Sequence, residues 1–137
     1  MSAPAVAVYR DSKRFAAAWS DKRKGNDIPR VFWSLSKEPQ FSSDQPIHPD
    51  GKGQQDHPSL AFDSVGTLWA AWEESQGNRE HIWIRSSDKT LPPRQLSSAD
   101  EGKAYQPVIA VNGGVVVVVY ETMKNRNKAV VCQVLVR

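Results

Sequence analysis

A single cysteine in 137 residues excludes an intrachain disulfide and any cysteine-based zinc site built within one chain. Cys132 stands in Val130-Val131-Cys132-Gln133-Val134, the setting of a buried, unreactive thiol rather than of a nucleophile. Long hydrophobic runs are missing too. The longest, Val115 to Tyr120, is far too short to cross a bilayer, so no membrane partner is expected. Met1-Ser2-Ala3-Pro4 lacks the basic start and apolar stretch of a signal peptide, which predicts a cytoplasmic protein unless a leader has been removed. Helical periodicity is almost absent, and no window carries an apolar stripe at i, i+3, i+4, i+7 for more than a turn or two.

Charge of one sign is scarce as well. Eighteen Lys and Arg against fifteen Asp and Glu leave a net charge of +3, and the basic residues are dispersed. Only Lys22-Arg23-Lys24 clusters, beside Gly25, Asn26 and Asp27, in what reads as an exposed loop. A positive stripe that tracks a phosphate backbone is therefore missing, and no nucleic-acid partner is expected. His48, His57 and His81 have no companions at metal-ligand spacing, so the sequence predicts neither a metal nor a cofactor.

What the chain does have is repetition. Its length fits one domain over residues 1–137, and its composition, 39% apolar and 24% charged, is that of a folded globular protein. Three segments align: Pro4-Ala5-Val6-Ala7-Val8 with Phe15-Ala16-Ala17-Ala18-Trp19, Pro58-Ser59-Leu60-Ala61-Phe62 with Leu68-Trp69-Ala70-Ala71-Trp72, and Pro107-Val108-Ile109-Ala110-Val111 with Val116-Val117-Val118-Val119-Tyr120. The prolines are 54 and 49 residues apart, and the closing aromatics, Trp19, Trp72 and Tyr120, are 53 and 48 apart. Both landmarks drift together, which puts the length variation in loops. The repeat units are about 4–55, 56–104 and 105–137.

Each unit opens with a hairpin, because Asp11-Ser12-Lys13, Asp63-Ser64-Val65-Gly66 and Asn112-Gly113-Gly114 supply the backbone angles tight turns need. The second strands are apolar at nearly every residue, which predicts burial on both faces. Third strands follow at Arg30 to Ser34, Ile82 to Ser86 and Ala129 to Gln133. Short outer strands are expected around Gln45-Pro46-Ile47 and Arg94-Gln95-Leu96, where proline suits an edge. The third unit has no such segment. The fold class is all-β: a β-propeller of about three four-stranded blades, the last lacking its outer strand.

"HPSLAFDSVGTLWAAWEE" with "IWIRSSDKT", and "VFWSLSKEPQFS" in the first unit, resemble the repeats of sialidase-like propellers, in which a blade's third strand leads into an Asp-box turn, Ser-x-Asp-x-Gly-x-x-Trp. Ser86-Ser87-Asp88 keeps the serine and the aspartate while Thr90 stands where the glycine belongs. Ser34-Leu35-Ser36 lacks the aspartate, with Phe41 in place of the closing aromatic. The resemblance implies six blades. Three blades leave two open apolar edges, so a homodimer closing the ring is expected, the other reading being a fragment of a longer chain.

The resemblance further implies a ligand face formed by the loops leading into each blade and those between second and third strands. That face would gather Asp56, His57, Tyr105, Gln106, Asp21, Glu73, Glu74, Glu121, Arg23, Arg79 and Arg126. Tyr105 with Glu73 or Glu121 are the residue types of a sialidase-type nucleophile and its partner. The ligand-binding candidates are Asp21, Asp56, His57, Glu74, Arg79, Gln106 and Arg126. Three arginines gripping a carboxylate would have to come from Arg10, Arg79 and Arg126, none of which lies in an Arg-Ile-Pro-like motif. Trp33, Trp69 and Trp83 would offer stacking surfaces if exposed, whereas Trp19, Trp72 and Tyr120, repeated at one position, read as packing between blades. Three functions stay open: a non-catalytic propeller that binds a glycan or other polar ligand, a sialidase-type glycosidase completed across an oligomer, and a structural or protein-binding propeller.

Overall fold

The computed structural model of the chain describes residues 2–10, 13–23 and 27–136. Asp11 and Ser12 of the first expected turn, and Lys24, Gly25 and Asn26 of the expected basic loop, lie outside the described residues. Three antiparallel sheets follow in chain order. The first holds β1 (Ala5–Val8), β2 (Arg14–Asp21), β3 (Arg30–Lys37) and β4 (Gln45–Pro46). The second holds β5 (Gln54–Phe62), β6 (Leu68–Gln76), β7 (Arg79–Ser86) and β8 (Arg94–Gln95). The third has only β9 (Lys103–Asn112), β10 (Val115–Lys124) and β11 (Asn127–Val136). A single 3-10 turn, Ala99–Glu101, precedes β9, and among the described residues there is no α-helix. Each sheet is a propeller blade.

Local chemistry explains the hairpins. Asp63 Oδ1 accepts the N–H groups of Val65 and Thr67, at 3.0 and 2.9 Å, and Gly66 takes a φ of 85°. Asp63 thereby holds the turn that aligns β5 with β6. The outer strands β4 and β8 are two residues long, and Pro46 in β4 costs no ladder bond because it sits at an edge.

Blades stack face to face. Between the first and second lie Ala16, Ala18, Val31, Ile47, Leu60, Leu68, Ala70 and Trp72, and between the second and third lie Ala71, Ile82, Ile84, Ala104, Ile109, Val116, Val118 and Tyr120. The small alanines of one face admit the large side chains of the next, which is how closely spaced sheets reach interior packing density. First strands meet across blades: β1 packs on β5, and β5 on β9. They therefore line the propeller axis.

Burial of the second strands departs from expectation in the outer blades. Only β6 is buried over most of its length on both faces, while β2 and β10 alternate, since each faces a neighbouring blade on one side only. Val6 and Val8 on one end blade are 76% and 73% exposed, and Val130 and Val134 on the other are 72% and 59% exposed. Cys132, expected to be buried, is exposed for the same reason: opposite Val119, it belongs to the open face of the third blade.

Candidate functional site

The polar residues that converge do so where the first strands bend. The β5–β6 ladder runs from Phe62 to Ser59, slips, and resumes at Asp56, and the β9–β10 ladder slips between Val119 and Glu121. The residues at the slips, His57 and Gln106, take φ values of 51° and 50°, each just before a proline. Left-handed backbone on a non-glycine residue costs on the order of 1–3 kcal/mol, and a following proline restricts it further. Neighbouring blades offset that cost. The His57 N–H donates to Ser2 Oγ at 2.7 Å, and the Gln106 N–H donates to Glu73 Oε2 at 3.0 Å.

These corners bring a set of ionisable groups together at the axial end. Ser2 Oγ donates to Asp56 Oδ1 at 2.5 Å, and His57 Nδ1 stands 2.9 Å from Glu73 Oε2, an ion-pair contact whose alignment falls short of a hydrogen bond. Tyr105 lies beside Glu80 and Glu73. Burial raises the Glu73 carboxyl above the ordinary carboxylate range, against the opposing pull of the Gln106 N–H and of His57. Burial acts on Asp56 too, but the hydroxyls of Ser2 and Ser20, with the charge of His57, outweigh it and hold its carboxyl below the usual value. Burial, then the negative charges of Glu80 and Glu73, push the Tyr105 phenol up. The cluster thus holds one carboxyl whose proton affinity is lowered, one whose proton affinity is raised, an imidazole and a phenol. Such a set donates to and accepts from the hydroxyls of a polar ligand.

Asp56, His57, Glu73, Tyr105 and Gln106 of the predicted residues meet here, and the others lie elsewhere. Glu74 points to the opposite side of β6, where it is buried, accepting from Gln55 Nε2 at 2.5 Å and pairing with His48 Nδ1 at 3.1 Å. Asp21 accepts from Trp19 Nε1 at 3.0 Å and pairs with Arg23, which also pairs with Asp44 and lies over the Phe32 ring, all on the first blade. Glu121 is exposed on the open side of the third blade, opposite Tyr105 and Val130. Arg126 sits in the β10–β11 turn and Arg79 at the start of β7. Arg10 lies in the β1–β2 connection, at the opposite end of the blades from those two, so these three arginines do not form one grip. Trp33 lies beneath the Arg85 guanidinium, Trp83 against the His48 ring at 4.5 Å, and Trp69 in the core between the second and third blades, with its Nε1 donating to Asp63.

Ser2, Ser20 and Glu80 joined the cluster without having been singled out. Ser2 carried a signal, for Ser2-Ala3-Pro4 occupies the repeat position of Asp56-His57-Pro58 and Tyr105-Gln106-Pro107. Glu80 carried none. Among the described residues, no group of three or more His, Cys, Asp or Glu converges as metal ligands would.

No family model matches the chain, and no curated protein matches it. Among solved structures it is similar to the endo-arabinase from Bacteroides thetaiotaomicron VPI-5482, with 17% sequence identity and a TM-score of 0.67 over 98% of this chain. The match covers 56% of the enzyme's chain, so this chain spans little more than half its length. At that identity the likeness establishes the fold alone: the three sheets are blades of a β-propeller.

Proposed function

We propose that the protein is a carbohydrate-binding propeller of the sialidase-like kind, which takes its ligand at the axial end through Asp56, His57, Glu73, Tyr105 and Gln106 without cleaving it. The observation that carries the reading is the double duty of the carboxylates. Glu73 is bonded to the Gln106 amide and Asp56 to Ser2, so both are engaged in holding the blade corners. Both carboxylates are thereby held in place to meet the hydroxyls of a polar ligand. The Asx turn after β7, in which Asp88 Oδ1 accepts from the Thr90 N–H and hydroxyl, supports the sialidase-like assignment.

Titration calorimetry with arabino-oligosaccharides, alongside a broad glycan array, tests binding. Saturable binding that the Asp56→Asn, Glu73→Gln double variant loses is the expected result, and silence across both would leave a structural or protein-binding propeller. One observation favours a second reading as a glycoside hydrolase: the surroundings of Asp56 and Glu73 drive their proton affinities apart, as in an acid and base pair. Release of reducing ends from arabinan, or of fluorophore from a sialoside, above the rate of Glu73→Gln would establish that reading in place of the first.

A further inference from the structure

The open faces of the first and third blades are the two halves of one kind of joint. Val6 and Val8 occupy the repeat positions of Leu60 and Phe62, which pack on the first blade, and of Ile109 and Val111, which pack on the second. Trp19 likewise stands where Trp72 and Tyr120 stand, and those two are almost wholly buried against the preceding blade. The first blade therefore presents the face that, elsewhere in the chain, always enters a joint. On the third blade, Val108 and Ala110 occupy the positions of Ala5 and Ala7, which pack on the second blade, and of Ser59 and Ala61, which face the third. Val108 is 64% exposed. It belongs to the face that always receives.

A polar marker accompanies the apolar ones. Glu73 follows Trp72, and its carboxylate takes the N–H of Gln106, the residue before Pro107 in the next blade. Glu121 follows Tyr120 at the same repeat position, and among the described residues no blade packs against the third one to offer it such an N–H. Ala3, before Pro4, is the matching residue of the first blade.

We propose that two copies of this chain close into one six-bladed ring, the third blade of each receiving the first blade of the other, with Glu121 of one copy accepting the N–H of Ala3 of the partner subunit. The chain itself carries both complementary faces, so a second copy fits each open face with the partner it already has within one subunit. Two-fold symmetry about the propeller axis uses both joints alike and leaves no open blade face, which is how a head-to-tail contact closes instead of growing. Glu121 would then meet Ala3 of the partner subunit as Glu73 meets Gln106 within one subunit.

Light scattering on the intact chain at about 10 μM measures the assembly, and a mass twice the 15.3 kDa chain is expected at a concentration well above a stable dimer's Kd. Cys132, on the receiving face, provides a second readout. Its maleimide reaction is expected to be about tenfold slower in the wild type than in Val6→Asp or Val134→Lys, each placed on one half of the joint and checked for native far-UV circular dichroism. Glu121→Ala is expected to weaken dimerisation several-fold, and Glu121→Gln, which retains an acceptor oxygen, to restore most of it. A wild-type monomer, an open-ended polymer, or a Cys132 that reacts equally fast in wild type and variants overturns the ring. An unchanged dimer constant in Glu121→Ala overturns the assigned contact.

Discussion

Asp56 and Glu73 face each other across the β5–β6 ladder, yet the folded protein lowers the proton affinity of one and raises that of the other. Burial raises Glu73, whereas at Asp56 the hydroxyls of Ser2 and Ser20 outweigh burial, so two carboxyls on one face of one blade are shifted in opposite directions.

Acid should act through Asp56. A carboxylate whose folded pKa lies below its ordinary value of 3.8 adds stability above that value and loses it as the pH falls through the folded pKa. Urea unfolding between pH 6 and pH 2.5 is expected to show the wild type losing its advantage over Asp56→Asn below about pH 4. A constant difference across that range would mean that Asp56 does not titrate with folding.

Glu73 should act in the other direction. With a folded pKa above the ordinary 4.5, it binds its proton more tightly when folded, so its contribution falls as the pH rises through that window. Glu73→Gln, whose amide oxygen can still accept the Gln106 N–H, is expected to gain stability relative to wild type between pH 4 and pH 7. Glu73→Ala leaves that N–H to solvent and should cost about 1 kcal/mol. Equal behaviour of the two variants would contradict the bond.

Tyr120 ties the 3-10 turn before β9 to β11 through its hydroxyl, which donates to Glu101 Oε2 at 2.6 Å and accepts from Gln133 Nε2 at 2.8 Å. Burial and then the Glu101 bond push its pKa to about 12. Ultraviolet titration should show Tyr120 ionising well after an unperturbed phenol, and stability should decline from about pH 10 towards 12 as the unfolded phenol ionises first. Tyr120→Phe should remove that decline and cost about 1–3 kcal/mol at pH 7.

Trp72 fills the joint between the first and second blades, with an indole Nε1 that finds no hydrogen-bond partner among the described residues. Trp72→Ala should cost about 3–5 kcal/mol in chemical denaturation. Trp72→Phe should cost much less, since it keeps most of the ring and discards an unsatisfied donor. A phenylalanine variant as unstable as the alanine one would show that the indole is satisfied in solution.

Gly51 has no room for a side chain. A Cβ there would meet His48 Nδ1 at 2.6 Å and Gln55 Nε2 at 2.8 Å and press on the Glu74 carboxylate, so Gly51→Ala should break that buried network. The expected loss is about 1–3 kcal/mol, with the His48 proton signals shifted in NMR spectra.

Much of the fold was legible because a repeated unit writes its pattern three times. The spacing of Pro4, Pro58 and Pro107 and of Trp19, Trp72 and Tyr120 announced the blades, and proline in Gln45-Pro46 announced an edge. The site was harder to read. Glu73 and Glu74 are adjacent in sequence and identical in type, but strand alternation sends one to the axial cluster and the other into the His48–Gln55 network. No local pattern tells which of two neighbours faces the axis, since one step of register reverses every side chain.

Sequence alone therefore determined the all-β class and the three blades, because these depend on turn chemistry and on apolar patterning within short segments. Tertiary structure decided which faces are covered, which carboxyl is raised and which lowered in proton affinity, and which residues meet at the axis. Those depend on neighbours some fifty residues away along the chain, such as Ser2 against Asp56, that only the stacking of blades brings within hydrogen-bonding distance.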